Sequence, residues 1–415
     1  MIEQNLTSLP RRGFLRKTLG ACWAGASLLE QSMLRAAQAR AQAASPTSGP
    51  LPKLFNIEKV GEGAYAAIAK PQALTNCNAA VFENAADLLI VDTHSKPSAA
   101  VSLVSQIRRE ITEKPVRYIV NTHFHWDHTQ GAPAYRRIAP HADILASEVT
   151  RRLLGELGEE RLKASLDQTQ KSLDGYREAL ARSPAEDKAY YNELIQQSRA
   201  YLVEMRNYRP ELPDITLSKD LVIHDKAHDL HLAFRGRGHT AGDVVVFCPQ
   251  AKVIATGDLL HSCAPFLSDG YPIDWNRTLL GVAEFDFEHV IPGHGGVQHT
   301  RERLYEFGSF IVEMTEAVVQ GQRKGKTIAQ IQQETTPSKL VTLQRYGYGD
   351  FLSSSLKRYT LHPPSERNID PLPKAVATCL AQIDSALDRV ARETGSASGG
   401  ARASLRCVGG LERKS

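Results

Sequence analysis

No apolar run in the chain approaches the ~20 residues that a membrane-spanning helix needs, and mean hydropathy is −0.31. A spanning helix is therefore not expected. Cysteine is scarce and irregular. Cys22 sits in a leader-like segment, and Cys77, Cys248, Cys263, Cys379 and Cys407 remain. That is an odd number without repeated spacing, which argues against a disulfide framework. Cys263 reads as a buried structural thiol, although it lies near an acidic candidate discussed below. A nucleophile elbow of the Gly-x-Ser-x-Gly kind is also missing. Excess charge is missing as well: the formal charge is +4, and residues 1–43, with six Lys/Arg and two Asp/Glu, carry all of it. The remainder is near neutral, which removes the electrostatic argument for a nucleic-acid partner.

The N-terminus has the syntax of a targeting segment. Arg11-Arg12-Gly-Phe-Leu-Arg-Lys17 is a twin-arginine pattern, an apolar stretch runs from Leu19 to Leu29, and Ala41-Gln42-Ala43 offers a peptidase site. Residues 1–43 are expected to be a signal peptide recognised by the twin-arginine export machinery, which places the mature protein in the periplasm. Residues 44–53 read as a Pro/Ser/Gly linker.

From Phe55 the pattern is that of strands: 56–60, 64–68 and 88–91, then helical spacing across 99–111, then the strand Tyr118–Val120. A layered α/β architecture follows. Residues 149–210 change character. Leu166, Leu173 and Leu180 recur every seven residues, as do Leu194, Tyr201 and Tyr208, with Ser183-Pro-Ala-Glu186 between them as a capping box. An inserted pair of long antiparallel helices is expected, serving as a lid, a dimerisation arm or a solvated structural insert. Strands resume at 221–223 and 231–234, followed by a hairpin of 244–247 and 253–255. Beyond residue 300, Leu304, Phe307, Ile311, Met314 and Val318 form one helical stripe, and Val376, Leu380, Ile383, Leu387 and Val390 another. Both read as core-facing, in a helical extension over 301–393. The tail 394–415 lacks periodicity and reads as disordered.

The densest chemistry is Asn121-Thr-His-Phe-His-Trp-Asp-His128, which follows a strand. A chain with 14 His in 415 residues has little chance of setting three within six positions. Alternate residues of an extended segment share a face, so His123 and His125 can grip one metal ion. Asp127 and His128, past the turn, can point to a second. Further ligand candidates repeat one syntax of strand, glycine, then ligand. They are His239 in Gly236-Arg-Gly-His-Thr, Asp258 in Thr256-Gly-Asp-Leu, and His294 in Ile291-Pro-Gly-His-Gly. His261, three residues past Asp258, could reach the rim. His94, His224, His228, His231 and His289 read as satisfied surface or edge histidines, and Trp126 as packing beneath the ligands.

With Asp92 in Val91-Asp-Thr93, these motifs occur in the order found in the metallo-β-lactamase superfamily, which the chain resembles over residues 55–300 apart from the insert. The resemblance implies a four-layered αβ/βα sandwich over 54–300. It implies His123, His125 and His239 on a first metal, with Asp127, His128 and His294 on a second and Asp258 bridging. Asp92 would steady the loop without binding metal. It further implies two zinc ions per chain, with iron or manganese as alternatives.

An acidic residue at the bridging position is similar to glyoxalase II, lactonases and related hydrolases, whereas many β-lactamases carry cysteine or serine there. The expected reaction is attack of a metal-activated hydroxide, oriented by Asp127, on the carbonyl of an ester, thioester or lactone in a small-molecule substrate. The alternatives are a periplasmic β-lactamase, an iron-dependent oxidoreductase on the same ligands, and a binding protein with structural metal. The sequence does not specify the substrate or the oligomeric state.

Overall fold

The computed structural model describes residues 53–70, 77–261, 265–336, 338–345 and 349. The expected leader, the linker up to residue 52, the second helical stripe, the tail, and Cys22, Cys263, Cys379 and Cys407 lie outside those residues. Among the described residues no helix is long and apolar enough to cross a membrane.

Two sheets carry the architecture. The first has seven strands in sequential order: β1 Phe55–Gly61, β2 Ala64–Ala69, β3 Ala79–Glu83, β4 Leu88–Val91, β5 Val116–Val120, β6 Asp143–Ser147 and β7 Ile215–Leu217. Strands β1 to β4 pair antiparallel, and β4 to β7 parallel. The second sheet has the order β12-β11-β10-β9-β8, built from β8 Asp220–Ile223, β9 Leu230–Phe234, β10 Val244–Cys248, β11 Val253–Gly257 and β12 His289–Pro292. Its one parallel pair is β11 with β12.

The period-two alternation of these strands divides the core into layers. Leu88 and Ile90 face outward onto helix α1, Pro97–Glu110, which buries Ala99, Ala100, Leu103, Val104 and Ile107 against them. That helix starts at Pro97, where a missing N–H costs nothing. Leu89 and Val91 point the other way. They meet Leu232, Val244, Val246 and Ala255 of the second sheet in the central core. On the far side, Val245, Phe247 and Ile254 pack under α6, Pro272–Val282, and α7, Glu302–Arg323. The expected stripe Leu304, Phe307, Ile311, Met314 and Val318 is buried there, each large side chain contributing about 1.5–3 kcal/mol. The chain is thus a mixed α/β sandwich: helices, sheet, sheet, helices.

Between β6 and β7 stand the two expected long helices, α4, Glu148–Arg182, and α5, Lys188–Glu204. Ser147 caps the first by accepting from the Thr150 N–H, and donates its own hydroxyl to the Gly242 carbonyl. The junction differs from the expected capping box. Ser183 ends α4 rather than beginning α5, and its Oγ donates back to the Leu180 carbonyl. Pro184 then opens a short 3₁₀ turn, Ala185–Asp187. Proline cannot donate the N–H that would continue α4, so the serine finishes that helix. Leu162, Tyr201, Met205 and Tyr208 form a small core of their own, against which Leu166 and Trp126 pack. The remaining short helices are α2 Trp126–Thr129, α3 Ala132–Ile138, α8 Ile328–Glu334 and α9 Val341–Gln344.

Candidate metal centre

The candidate ligands come from loops at the C-terminal ends of β5, β9, β11 and β12, on one edge of the sandwich. The strands are fixed by their apolar alternation, and the loops approach one another because glycines permit it. A Cβ on Gly293 would lie 2.0 Å from Asp258 Oδ1, and one on Gly257, whose φ is +51°, would lie 2.4 Å from Thr122 Oγ1. Neither position accepts a side chain.

Two groups of donor atoms result. His123, His125, His239 and Asp258 each offer an atom within 4.8 Å of the others, and so do Asp127, His128 and His294. All seven residues singled out in the sequence come together, with Asp258 grouped with His123, His125 and His239. Asp258 stands between the groups: Oδ2 lies 3.3 Å from His239 Nε2 and 3.4 Å from His294 Nε2, and Oδ1 lies 3.3 Å from His128 Nε2. Asp127 Oδ2 lies 3.2 Å from His294 Nε2.

Hydrogen bonds on the outer side of the rings decide which nitrogens face inward. Thr122 Oγ1 donates to Asp92, so it accepts from His123 Nδ1 at 2.9 Å, leaving the Nε2 lone pair of His123 for the cluster. His128 Nδ1 donates to Asp92 Oδ2 at 2.8 Å, with the same consequence. His125 Nε2 donates to Asp269 Oδ2 at 2.9 Å, turning Nδ1 inward to within 2.9 Å of His239 Nε2. A ring nitrogen whose partner nitrogen is held as a donor is the form that binds a metal.

The donor set fits divalent cations. His123 Nε2, His128 Nε2 and Asp258 Oδ1 are buried and lack a hydrogen-bond partner, which costs about 1–3 kcal/mol for each such group. A metal would satisfy all three. Burial, with the neighbouring histidines, pushes the His123 imidazole well below its ordinary pKa, and burial does the same to His239. Both are therefore neutral at pH 7, as ligands must be. Burial alone would lower His128 and His294 too, but acidic side chains outweigh it and raise both well above the usual value. The groups responsible are Cys77, Asp258, Asp92 and Asp127 around His128, and Asp258 and Asp127 around His294. The site draws positive charge toward itself.

The structure also places the residues that surround the donors. Asp92, at φ +66°, accepts from the Thr122 N–H and Oγ1 and from His128, and so steadies the loop as expected. His261 is not at the rim but inside the site. It is buried, stacked on the His294 ring at 5.6 Å, with Nε2 3.6 Å from Asp258 Oδ2. His94 is a core residue, its Nδ1 donating to the Cys77 carbonyl at 3.0 Å, and His228 is buried against Asn84. Trp126 does not pack beneath the ligands. It faces the insert, with its ring 6.2 Å from that of Tyr201. No motif marks Asp269 or Arg161 in the sequence. Arg161 Nη2 donates to Asp269 Oδ1 at 2.8 Å, which brings the insert to the ligand loop. A cavity of about 740 Å³ opens over the cluster, with Asp127, Asp258 and His294 on one wall and Gln168, Ser172 and Tyr176 of the insert on the other.

Residues 73–294 match the sequence profile of the Metallo-beta-lactamase superfamily. A 91-residue stretch is 28% identical to metallo-beta-lactamase type 2 of Elizabethkingia meningoseptica, covering 19% of this chain and 36% of that protein, so the chain spans about a third of that relative's length. Among solved structures, a metallo-beta-lactamase from Pontibacter korlensis is 18% identical, with a TM-score of 0.45 over 62% of this chain and 98% of its own. The DIM-1 metallo-beta-lactamase is 20% identical, with a TM-score of 0.44 over 63% and 97%. The profile covers more than half of the chain and contains every donor residue described above: the chain belongs to the metallo-beta-lactamase superfamily.

Proposed function

We propose that this protein is a dinuclear zinc hydrolase that adds water across the acyl–oxygen or acyl–sulfur bond of an ester, a thioester or a lactone, releasing a carboxylate and an alcohol or thiol. The observation that carries the reading is Asp258. Its carboxylate lies between the two donor groups, within 3.4 Å of a histidine nitrogen from each. A hard carboxylate at that point suits two cations sharing one oxygen ligand, where a cysteine would favour one soft site. When bound, the ions supply Lewis acidity and water activation at neutral pH.

The protein's own groups do the rest. Asp127 lines the cavity, and although burial alone would raise its pKa, His128 and His294 hold it below the usual carboxylate range. It is therefore an ionised acceptor at pH 7, placed to orient an attacking water. Asp258 is held well below the ordinary range by the histidines around it, against the effect of burial. His123, His125 and His239, all buried, fix the position where a carbonyl oxygen would be polarised. Trp126 and Phe266 provide apolar walls that limit bulk water. The twin-arginine pattern at Arg11-Arg12 supports an exported enzyme acting in the periplasm.

The identity with a type 2 metallo-beta-lactamase favours a second reading, lactam cleavage. A panel containing a thioester, a homoserine lactone and a chromogenic β-lactam separates them. Turnover of the thioester or lactone, lost on chelation and restored by zinc, supports the proposal. Turnover of the β-lactam alone would replace it with the second reading.

A further inference from the structure

The inserted helices are joined to the ligand loop by more than proximity. Helix α5 reaches the loop after β4: Lys96 Nζ donates to Gln197 Oε1 at 3.1 Å, and Ser98 donates through its N–H and Oγ to the Glu204 carboxylate. Tyr201 Oη donates to Gln130 Oε1 at 2.8 Å, two residues past His128. Helix α4 makes the contact nearest the metal centre. Arg161 Nη2 donates to Asp269 Oδ1 at 2.8 Å, and the other oxygen of that carboxylate receives His125 Nε2–H at 2.9 Å. The Arg161 guanidinium also lies 5.8 Å over the ring of Phe124, the residue between His123 and His125.

We propose that Arg161, supplied by the insert, is a positioning residue for the metal centre: it holds Asp269, and Asp269 holds His125. The argument is one of hydrogen-bond polarity. An ionised carboxylate only accepts. With one oxygen committed to Arg161, Asp269 presents the other to His125, which must then carry its proton on Nε2 and turn the Nδ1 lone pair inward. Side chains at 10% exposure for His125 and 12% for Asp269 make this pair sensitive to its partners, because little water is available to replace a lost donor. Without Arg161, Asp269 Oδ1 loses its cationic donor, and the aim of the carboxylate at His125 is loosened. The insert is then part of the metal site, not merely a cover over it.

The inference rests on the metal-centre reading, and the test separates the two. Zinc affinity is measured on the full chain by competition with a chromophoric chelator. The cobalt-substituted protein is examined by visible absorption, and the metal-free protein by thermal melting. The variants are Arg161→Met, which keeps the aliphatic stem, and Arg161→Lys, which keeps the charge and can satisfy a single oxygen. Arg161→Met is expected to weaken one of the two zinc sites about tenfold, the low end for lost ligand-supporting contacts. It should shift the cobalt bands and leave the metal-free melting temperature within a few degrees of wild type. Arg161→Lys should recover most of the affinity. Two zinc ions bound by Arg161→Met with wild-type affinity and unchanged cobalt bands would overturn the inference alone, as would a loss of stability without a change in affinity. Failure of the wild-type protein to take up any metal would overturn the metal-centre reading together with it.

Discussion

The Nδ1 of His128 donates to Asp92 Oδ2 at 2.8 Å, and both side chains are almost entirely buried. Asp92 therefore does for His128 what Asp269 does for His125: it keeps the proton on the outer nitrogen. It also accepts from the Thr122 N–H and hydroxyl, which anchors the start of the ligand loop.

Replacing Asp92 tests this. Asp92→Asn is the informative change, because asparagine tolerates the positive φ of +66° that most residues resist. The two carboxylate oxygens divide the donors, Oδ1 taking the Thr122 N–H and Oδ2 the His128 N–H, so the NH₂ of asparagine must oppose one of them. The variant is expected to fold but to bind zinc about 10–100-fold less tightly at the weaker of the two proposed sites, as read by chelator competition. Unchanged affinity would remove Asp92 from its supporting role.

If Asp258 is shared by two metals as proposed, Asp258→Asn should lower occupancy of the second metal and turnover together. Metal content by mass spectrometry and turnover are measured on the same preparation. If turnover persists with one metal gone, the two ions do not act jointly.

The close approach of the loops predicts an effect at a residue that binds nothing. Gly293→Ala would set a Cβ 2.0 Å from Asp258 Oδ1 and 3.0 Å from His128 Cε1. Asp258 must move, so zinc stoichiometry should fall while the far-ultraviolet circular dichroism stays that of wild type. Full stoichiometry would show that the loop yields without disturbing the ligand.

Lys96 gives a prediction in pH. Burial lowers its pKa from 10.5 to about 8, opposed by the Glu204 carboxylate. Between pH 8 and 10.5 the unfolded chain holds a proton that the folded protein has lost, so stability attributable to this residue rises with pH across that window. Below pH 8 the buried charge is a cost. Lys96→Met should therefore melt higher than wild type near pH 7, and the difference should shrink toward pH 10. A difference independent of pH would place its origin in packing instead.

Much of the fold was legible because burial imposes periodicity. Leu88-Leu-Ile-Val91 is apolar on both faces since it feeds two cores, and the 304–318 stripe spaces itself to lie on one. The candidate donors stand out because each follows a strand and, outside the dense His123–His128 run, a glycine. Helix junctions and supporting contacts do not. Ser183 can cap the helix before it or the one after, and only the Pro184 backbone settles which. Arg161 and Asp269 are 108 residues apart and lie in segments of generic composition. Their pairing exists only once the insert is folded against the sheet. The place of His261 inside the site depends on how the chain turns after Asp258, which no local pattern specifies.

If two bridged divalent ions drive hydrolysis as proposed, metal content and turnover must rise and fall together. Protein purified from its native compartment is assayed for metal by mass spectrometry, and the same sample for turnover of the thioester and lactone. Close to two zinc ions per chain, with turnover that follows zinc through removal and return, is the predicted result. One iron per chain, no zinc, and no hydrolysis of either substrate would contradict it.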